Sequence, residues 1–233
     1  MAILQQVAET EYRIADLREG VRGRLRVGVI PTIMPYFVAP RIGAFLKQYP
    51  EVDLQFIEDT TSRLLEYLQS AEIDLAVSGL PVRNEDVICS ELFREELYMV
   101  VPTGHRFARQ PAVNLQDVKS ERLLLLKEGH CLREDVLKAC TRGKAELHSV
   151  FETNQMESIF QLVRSGFGVS LVPEMALSHA TACALVCLKT NHQRRVGYLR
   201  ARRHFVSRPM REFLSWLRAV DASESKRKGR NLG

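Results

Sequence analysis

Cysteines are the residues of this 233-residue chain with the widest chemical scope, and their number and spacing narrow what they do. There are five: Cys89, Cys131, Cys140, Cys183 and Cys187. An odd number, in a chain whose Met1 leads into a mixed polar segment and not an export leader, argues against a structural disulfide framework, so any pairing is expected to be regulated. No CxxC pair occurs, and Cys183 and Cys187 lack a second ligand pair at finger-like distance; no metal site is expected, and both read as buried thiols. Cys131 differs. It follows a short apolar strand and opens a helical pattern, with His130 beside it and Arg133 within one turn. A helix N-terminus and neighbouring cations are the fields that give a thiol thiolate character at neutral pH. The plainer reading of a cysteine at such a junction is a small buried hydrophobe, and both readings stand at this point. Thr32 reads as a turn residue and Thr61 as a helix cap, and either hydroxyl could instead donate or accept a bond to a ligand. Cys89 falls in an ordinary strand and takes no role.

The elements that must position these residues follow from hydrophobic periodicity. Ile3, Leu4, Val7, Ile14 and Leu17 mark an exposed lead-in helix over 2–19, stopped by Gly20 and Gly23. Residues 25–30 form a strand ended by Pro31-Thr32. Val38, Ile42, Phe45, Leu46 and Tyr49 mark one helix face, Val52, Leu54 and Phe56 a strand, Leu64, Leu65 and Leu68 a helix, and residues 74–77 a buried strand. This β-α-β-α-β alternation implies a parallel sheet covered by helices, with ligands bound outside the carboxyl ends of its strands, where Thr32 falls. A second series follows. Strands are expected at 97–101 and 123–126, then a helix after His130 and a strand at 150–151. A helix capped by Asn154 ends at Gly166 and precedes a strand at 168–173. A strand near 195–200 leads to a last helix, about 209–220, that buries Phe213, Leu214, Trp216 and Leu217 and exposes Arg211 and Arg218.

With 45% apolar and 26% charged residues the chain can bury one large core or two smaller ones. No 18-residue apolar stretch is present, so a soluble, cytoplasmic protein without a membrane partner is expected. The net charge of +5 is unevenly placed: residues 189–230 hold 13 Lys/Arg against 3 Asp/Glu. The remainder is therefore acidic, which argues against one nucleic-acid face over the whole surface. Residues 223–233 read as a disordered basic tail.

Four segments in order, Gly23-Arg24-Leu25-Arg26-Val27-Gly28, Pro50-Glu51-Val52-Asp53-Leu54, Ile73-Asp74-Leu75-Ala76-Val77 and Gly166-Phe167-Gly168-Val169-Ser170-Leu171-Val172-Pro173, resemble the effector domain of LysR-type transcription regulators. That resemblance implies an α/β fold of two Rossmann-like lobes with a central cleft, similar to type 2 periplasmic binding proteins. It implies lobe I at 23–92 with a return segment at 196–222, and lobe II at 93–195, residues 1–22 being the end of a linker helix. The family's winged helix-turn-helix is not in this chain, so DNA binding is expected of a longer parent protein, working as a homodimer or homotetramer.

Within the family, Gly129-His130-Cys131-Leu132-Arg133 with Cys140 nine positions on is similar to the peroxide sensors, whose reactive cysteine lies in such a segment and whose resolving cysteine follows nine later. Cys131 and Cys140 inherit those roles. Thr32, in Ile30-Pro31-Thr32, and Thr61, in Glu58-Asp59-Thr60-Thr61, fall where those sensors place two peroxide-holding threonines; His130 and Arg133 would assist the thiolate. The intervening Glu134-Asp135-Val136-Leu137-Lys138-Ala139 departs from the sensors' pattern and favours an undisturbed helix. If 131–140 is helical when reduced, nine residues part the two Cα atoms by roughly 13–14 Å, whereas a disulfide tolerates about 7 Å. Bonding would then unwind the segment. The resemblance implies a sensor, not an enzyme, and no cofactor. Its rivals are a metabolite-binding effector domain, in which Thr32, Thr61, Arg133 and Thr153 contact a small anion in the cleft, and, further off, a thiol peroxidase.

Overall fold

The computed structural model describes residues 20–141 and 149–230; the lead-in helix expected over 2–19 lies outside them. The chain divides into two compact units, one formed by Met1–Phe93 with Val196–Gly233 and the other by Arg94–Arg195.

In the first unit β1 (Gly23–Val29) lies parallel to both β2 (Val52–Glu58) and β3 (Leu75–Leu80), with Val29 opposite Glu58 on one side and Val77 on the other. All six residues of β3 are buried, as expected of a parallel strand covered on both faces. Gly28 shows why the covering helix packs so closely: a Cβ there would come within 2.6 Å of Leu64 and 2.7 Å of Ile73. Leu64 and Leu68 come from α2 (Thr61–Gln69), whose cap position is Thr60 and not Thr61. The helix expected to run from Val38 is interrupted. A π-turn covers Met34–Val38, and α1 spans only Ile42–Gln48, because Pro40 has no amide to continue the ladder. Leu46 is consequently exposed while Phe45 is buried.

The return segment closes this unit. In α5 (Arg208–Arg230) Phe213 sets its ring edge-on to Phe45 at 5.2 Å, and Trp216, half-buried where full burial was expected, packs 5.6 Å from Phe45. The helix continues to Arg230 where a disordered tail was expected; the Ser, Glu, Lys and Arg residues there tolerate helix and contain no proline.

Two long strands carry the chain between units: β4 (Val87–Pro102), where only 97–101 was expected, and β10 (Gln193–Ala201). In the second unit β4 pairs antiparallel with β8 (Ser170–Pro173) and β9 (Cys183–Leu188), while β5 (Ala112–Val113) lies parallel to β9. β6 (Leu123–Leu126) and β7 (Ser149–Thr153) form a separate parallel pair. α3 (Cys131–Thr141) follows β6, and α4 (Met156–Arg164) follows β7. Cys183 is half-buried and Cys187 exposed, not buried as expected, because only Val186 of β9 faces the core. No helix among the described residues is long and apolar enough to cross a membrane.

Candidate functional site

The β6–β7 pair delivers the cysteine. Beyond β6 the Lys127 amide donates to the Thr153 carbonyl at 2.9 Å, and the His130 amide to the Lys127 carbonyl at 3.4 Å. Gly129 closes this tight turn at φ +90°, a left-handed conformation that costs other residues strain. The turn makes Cys131 the first residue of α3, a partly exposed thiol at the positive end of an 11-residue helix. Cys140 belongs to the last turn of the same helix, so the segment expected to be helical is helical.

His130 does not supply the cation read from sequence. It is 4% exposed, its Nε2 lies 3.4 Å from Asn154 Oδ1, and burial lowers its pKa, with the Asn154 bond opposing in part. The ring is therefore neutral at pH 7. Asn154, expected to cap α4, holds this imidazole instead, and Gln155 occupies the cap position. Arg133 is likewise committed elsewhere: one guanidinium nitrogen donates to the Leu126 carbonyl at 2.7 Å and meets Glu152 Oε1 at 2.8 Å. The β6–β7 register, Leu125 opposite Glu152, brings that carboxylate alongside. Thr153, opposite Leu126, uses its hydroxyl to accept from the Gln155 amide at 3.1 Å. Cys131, His130, Arg133 and Thr153 thus share one carboxyl edge.

The first unit has a polar edge of its own. Thr32 is 2% exposed in the turn after β1. Thr61, at the start of α2, places its hydroxyl 2.7 Å from that of Ser78, a fully buried residue of β3. Sequence reading missed Ser78; its signal is a polar residue inside the apolar run Leu75-Ala76-Val77-Ser78-Gly79-Leu80, which burial obliges to find a partner. Nearby, Asp59 Oδ1 accepts from the Thr60 amide at 2.7 Å, and burial raises the Glu58 pKa.

A family model for the LysR substrate binding domain matches residues 18–222. The chain belongs to the LysR family. Among relatives of this LysR domain is a hydrogen peroxide-inducible genes activator from Dickeya chrysanthemi, 27% identical over 199 residues. The match covers 84% of this chain and 65% of that relative, so the chain spans about 65% of such a regulator's length. A hydrogen-peroxide-bound mutant of OxyR from Corynebacterium glutamicum superposes with a TM-score of 0.83 at 25% identity, over 94% of this chain and 71% of that one. The reduced regulatory domain of OxyR from Pseudomonas aeruginosa gives 0.74 at 27% identity, over 85% and 97%. The LysR domain is thus OxyR-like, with the mixed α/β fold of type 2 periplasmic binding proteins.

Proposed function

We propose that this chain is the regulatory domain of a transcription regulator that senses hydrogen peroxide through Cys131, with Cys140 as the resolving thiol. The observation that carries the reading is the shared helix: Cys131 is a partly exposed thiol at the first position of α3, and Cys140 lies nine residues later in its last turn. The Cys131 thiolate attacks one peroxide oxygen and the O–O bond breaks. The departing hydroxide takes up a proton and leaves as water, and sulfenic acid remains. The Cys140 thiolate then attacks that sulfur, the S–S bond forms as the S–O bond breaks, and the departing hydroxide takes up a proton and leaves as a second water. Two thiols are oxidised and one peroxide is reduced to two waters. In this reading the neutral His130 and the Glu152-paired Arg133 hold the strand-to-helix junction around the thiol.

A helical rise of about 1.5 Å per residue keeps the two cysteine Cα atoms roughly 13–14 Å apart, beyond the about 7 Å a disulfide spans. Disulfide formation therefore requires α3 to unwind, a two-state change of the kind that reports oxidation elsewhere in a molecule. The lobes at 23–92 with 196–222 and at 93–195 would pass that change to a winged helix-turn-helix in a cytoplasmic homodimer or homotetramer. The stoichiometry is that of a sensor and not of an enzyme: one peroxide per disulfide, without turnover.

A second reading, a metabolite-binding effector domain, gains from the neutrality of His130 and the pairing of Arg133 with Glu152, which leave Cys131 fewer cations than a sensor thiol ordinarily has. Peptide mass spectrometry after alkylation, before and after about one equivalent of hydrogen peroxide, separates the two. A Cys131–Cys140 disulfide that Cys131→Ser abolishes supports the sensor; unchanged thiols favour the metabolite, with Arg133 and Thr153 as polar contacts.

A further inference from the structure

Between the two cysteines, α3 carries an ionisable group that the redox chemistry does not use. The Oδ2 atom of Asp135 is buried and has no hydrogen-bond partner among the described residues. Among the described residues, the charges that act on it come from three elements: Glu134 and Lys138 of α3 itself, Glu95 of β4 and Arg194 of β10. β6, also against α3, offers only leucines, and Asp117 of the short helical turn packed there receives the Asn114 amide at 3.3 Å. Arg194 and Glu95 already answer each other. Their side chains are 0% and 4% exposed, with Nε 2.8 Å from Oε1, close but off the hydrogen-bonding direction. The other Glu95 oxygen accepts from the Met175 amide at 3.0 Å. One buried guanidinium therefore faces two carboxylates.

We infer that Asp135 is a positioning residue whose ionised carboxylate, its Oδ2 buried without a hydrogen-bond partner among the described residues, destabilises the helical form of α3 at neutral pH and so poises the segment between Cys131 and Cys140 to unwind. The consequence for disulfide formation rests on the sensor reading above; the destabilisation itself does not. Unwinding returns the carboxylate to water, where it is fully solvated.

The direction with pH follows from linkage. Burial raises the Asp135 pKa from 3.8 to about 6, Arg194 opposing without cancelling the shift. Packed α3 thus binds a proton that the unwound segment releases. Acid favours the packed helix, and raising the pH from about 4 to above 6 removes up to about a hundredfold of its advantage over the open form. His130, whose pKa burial lowers, titrates with the opposite sign at the same end of the helix, so the informative quantity is the difference between the wild type and Asp135→Asn at each pH.

Backbone hydrogen exchange across residues 132–139, in the reduced full chain without peroxide, measures it. Asp135→Asn is expected to raise protection roughly ten- to a hundredfold at pH 7.5, with the gain shrinking toward pH 5; Asp135→Ala, which removes the charge without adding an amide, should move the same way. Equal protection at both pH values, or lower protection in both variants at pH 7.5, would overturn the inference, because the ionised carboxylate would then be satisfied in place. In a glutathione buffer at pH 7.5 the Cys131–Cys140 pair of Asp135→Asn should shift toward the dithiol by the same factor. Thiols that never pair would remove the sensor reading, while the exchange experiment still decides the role of Asp135.

Discussion

Thr61 and Ser78 bring their hydroxyl oxygens to 2.7 Å at the carboxyl edge of the parallel β1–β3 pair, across 17 residues of sequence. Ser78 is fully buried and Thr61 only partly, so the bond satisfies a hydroxyl that water does not reach. Ser78→Ala removes it, and about 1 kcal/mol of unfolding free energy should go with it in denaturant titration. Thr61→Val removes the same bond and should cost a similar amount. Unchanged stability in both variants would show that the bond contributes nothing measurable.

The buried His130 makes the domain acid-sensitive. Its folded pKa lies below the ordinary 6.5, so the unfolded chain binds the extra proton; the stability is complete above about pH 6.5 and is lost as the pH falls through the folded value. Asp135 works against this over part of the same range, since acid stabilises its packed form. His130→Gln should therefore flatten the acid-side loss in chemical denaturation between pH 7 and 5. An unchanged slope would show that the imidazole accepts its proton without leaving the packed structure.

Arg133 ties α3 to both strands of the parallel pair through the Leu126 carbonyl and Glu152. Arg133→Ala leaves a backbone carbonyl without its charged donor, and a loss of about 1–3 kcal/mol is expected. Glu152→Gln should cost under about 1 kcal/mol, because that carboxylate is 41% exposed and screened by water. Thermal unfolding of both variants checks the order, and a larger loss from Glu152→Gln contradicts it.

Gly129 holds φ +90° in the turn that aims Cys131. Gly129→Ala should destabilise by about 1 kcal/mol and alter the rate at which Cys131 takes up iodoacetamide. An unaltered rate would mean that the thiol keeps its position when the turn is strained.

Local chemistry made much of this molecule legible before folding is considered. The apolar alternation of Val52, Leu54 and Phe56, the continuous run at 123–126 and the left-handed Gly166 after Val163 each specify an element from residues within a few positions. Spacing alone placed Cys131 at the start of a helix. Pro40 showed the limit of periodicity, since an apolar face continued through a residue that the helix could not. What only the tertiary structure decided is the charge and partnership of the side chains at that helix. His130 is neutral because the folded chain buries it away from water. Arg133 is spoken for by Glu152, 19 residues on, and Asp135 is stranded near a Glu95–Arg194 pair drawn from two strands 99 residues apart. Desolvation and Coulomb interaction depend on what distant segments pack around a group, and no window of sequence contains those neighbours.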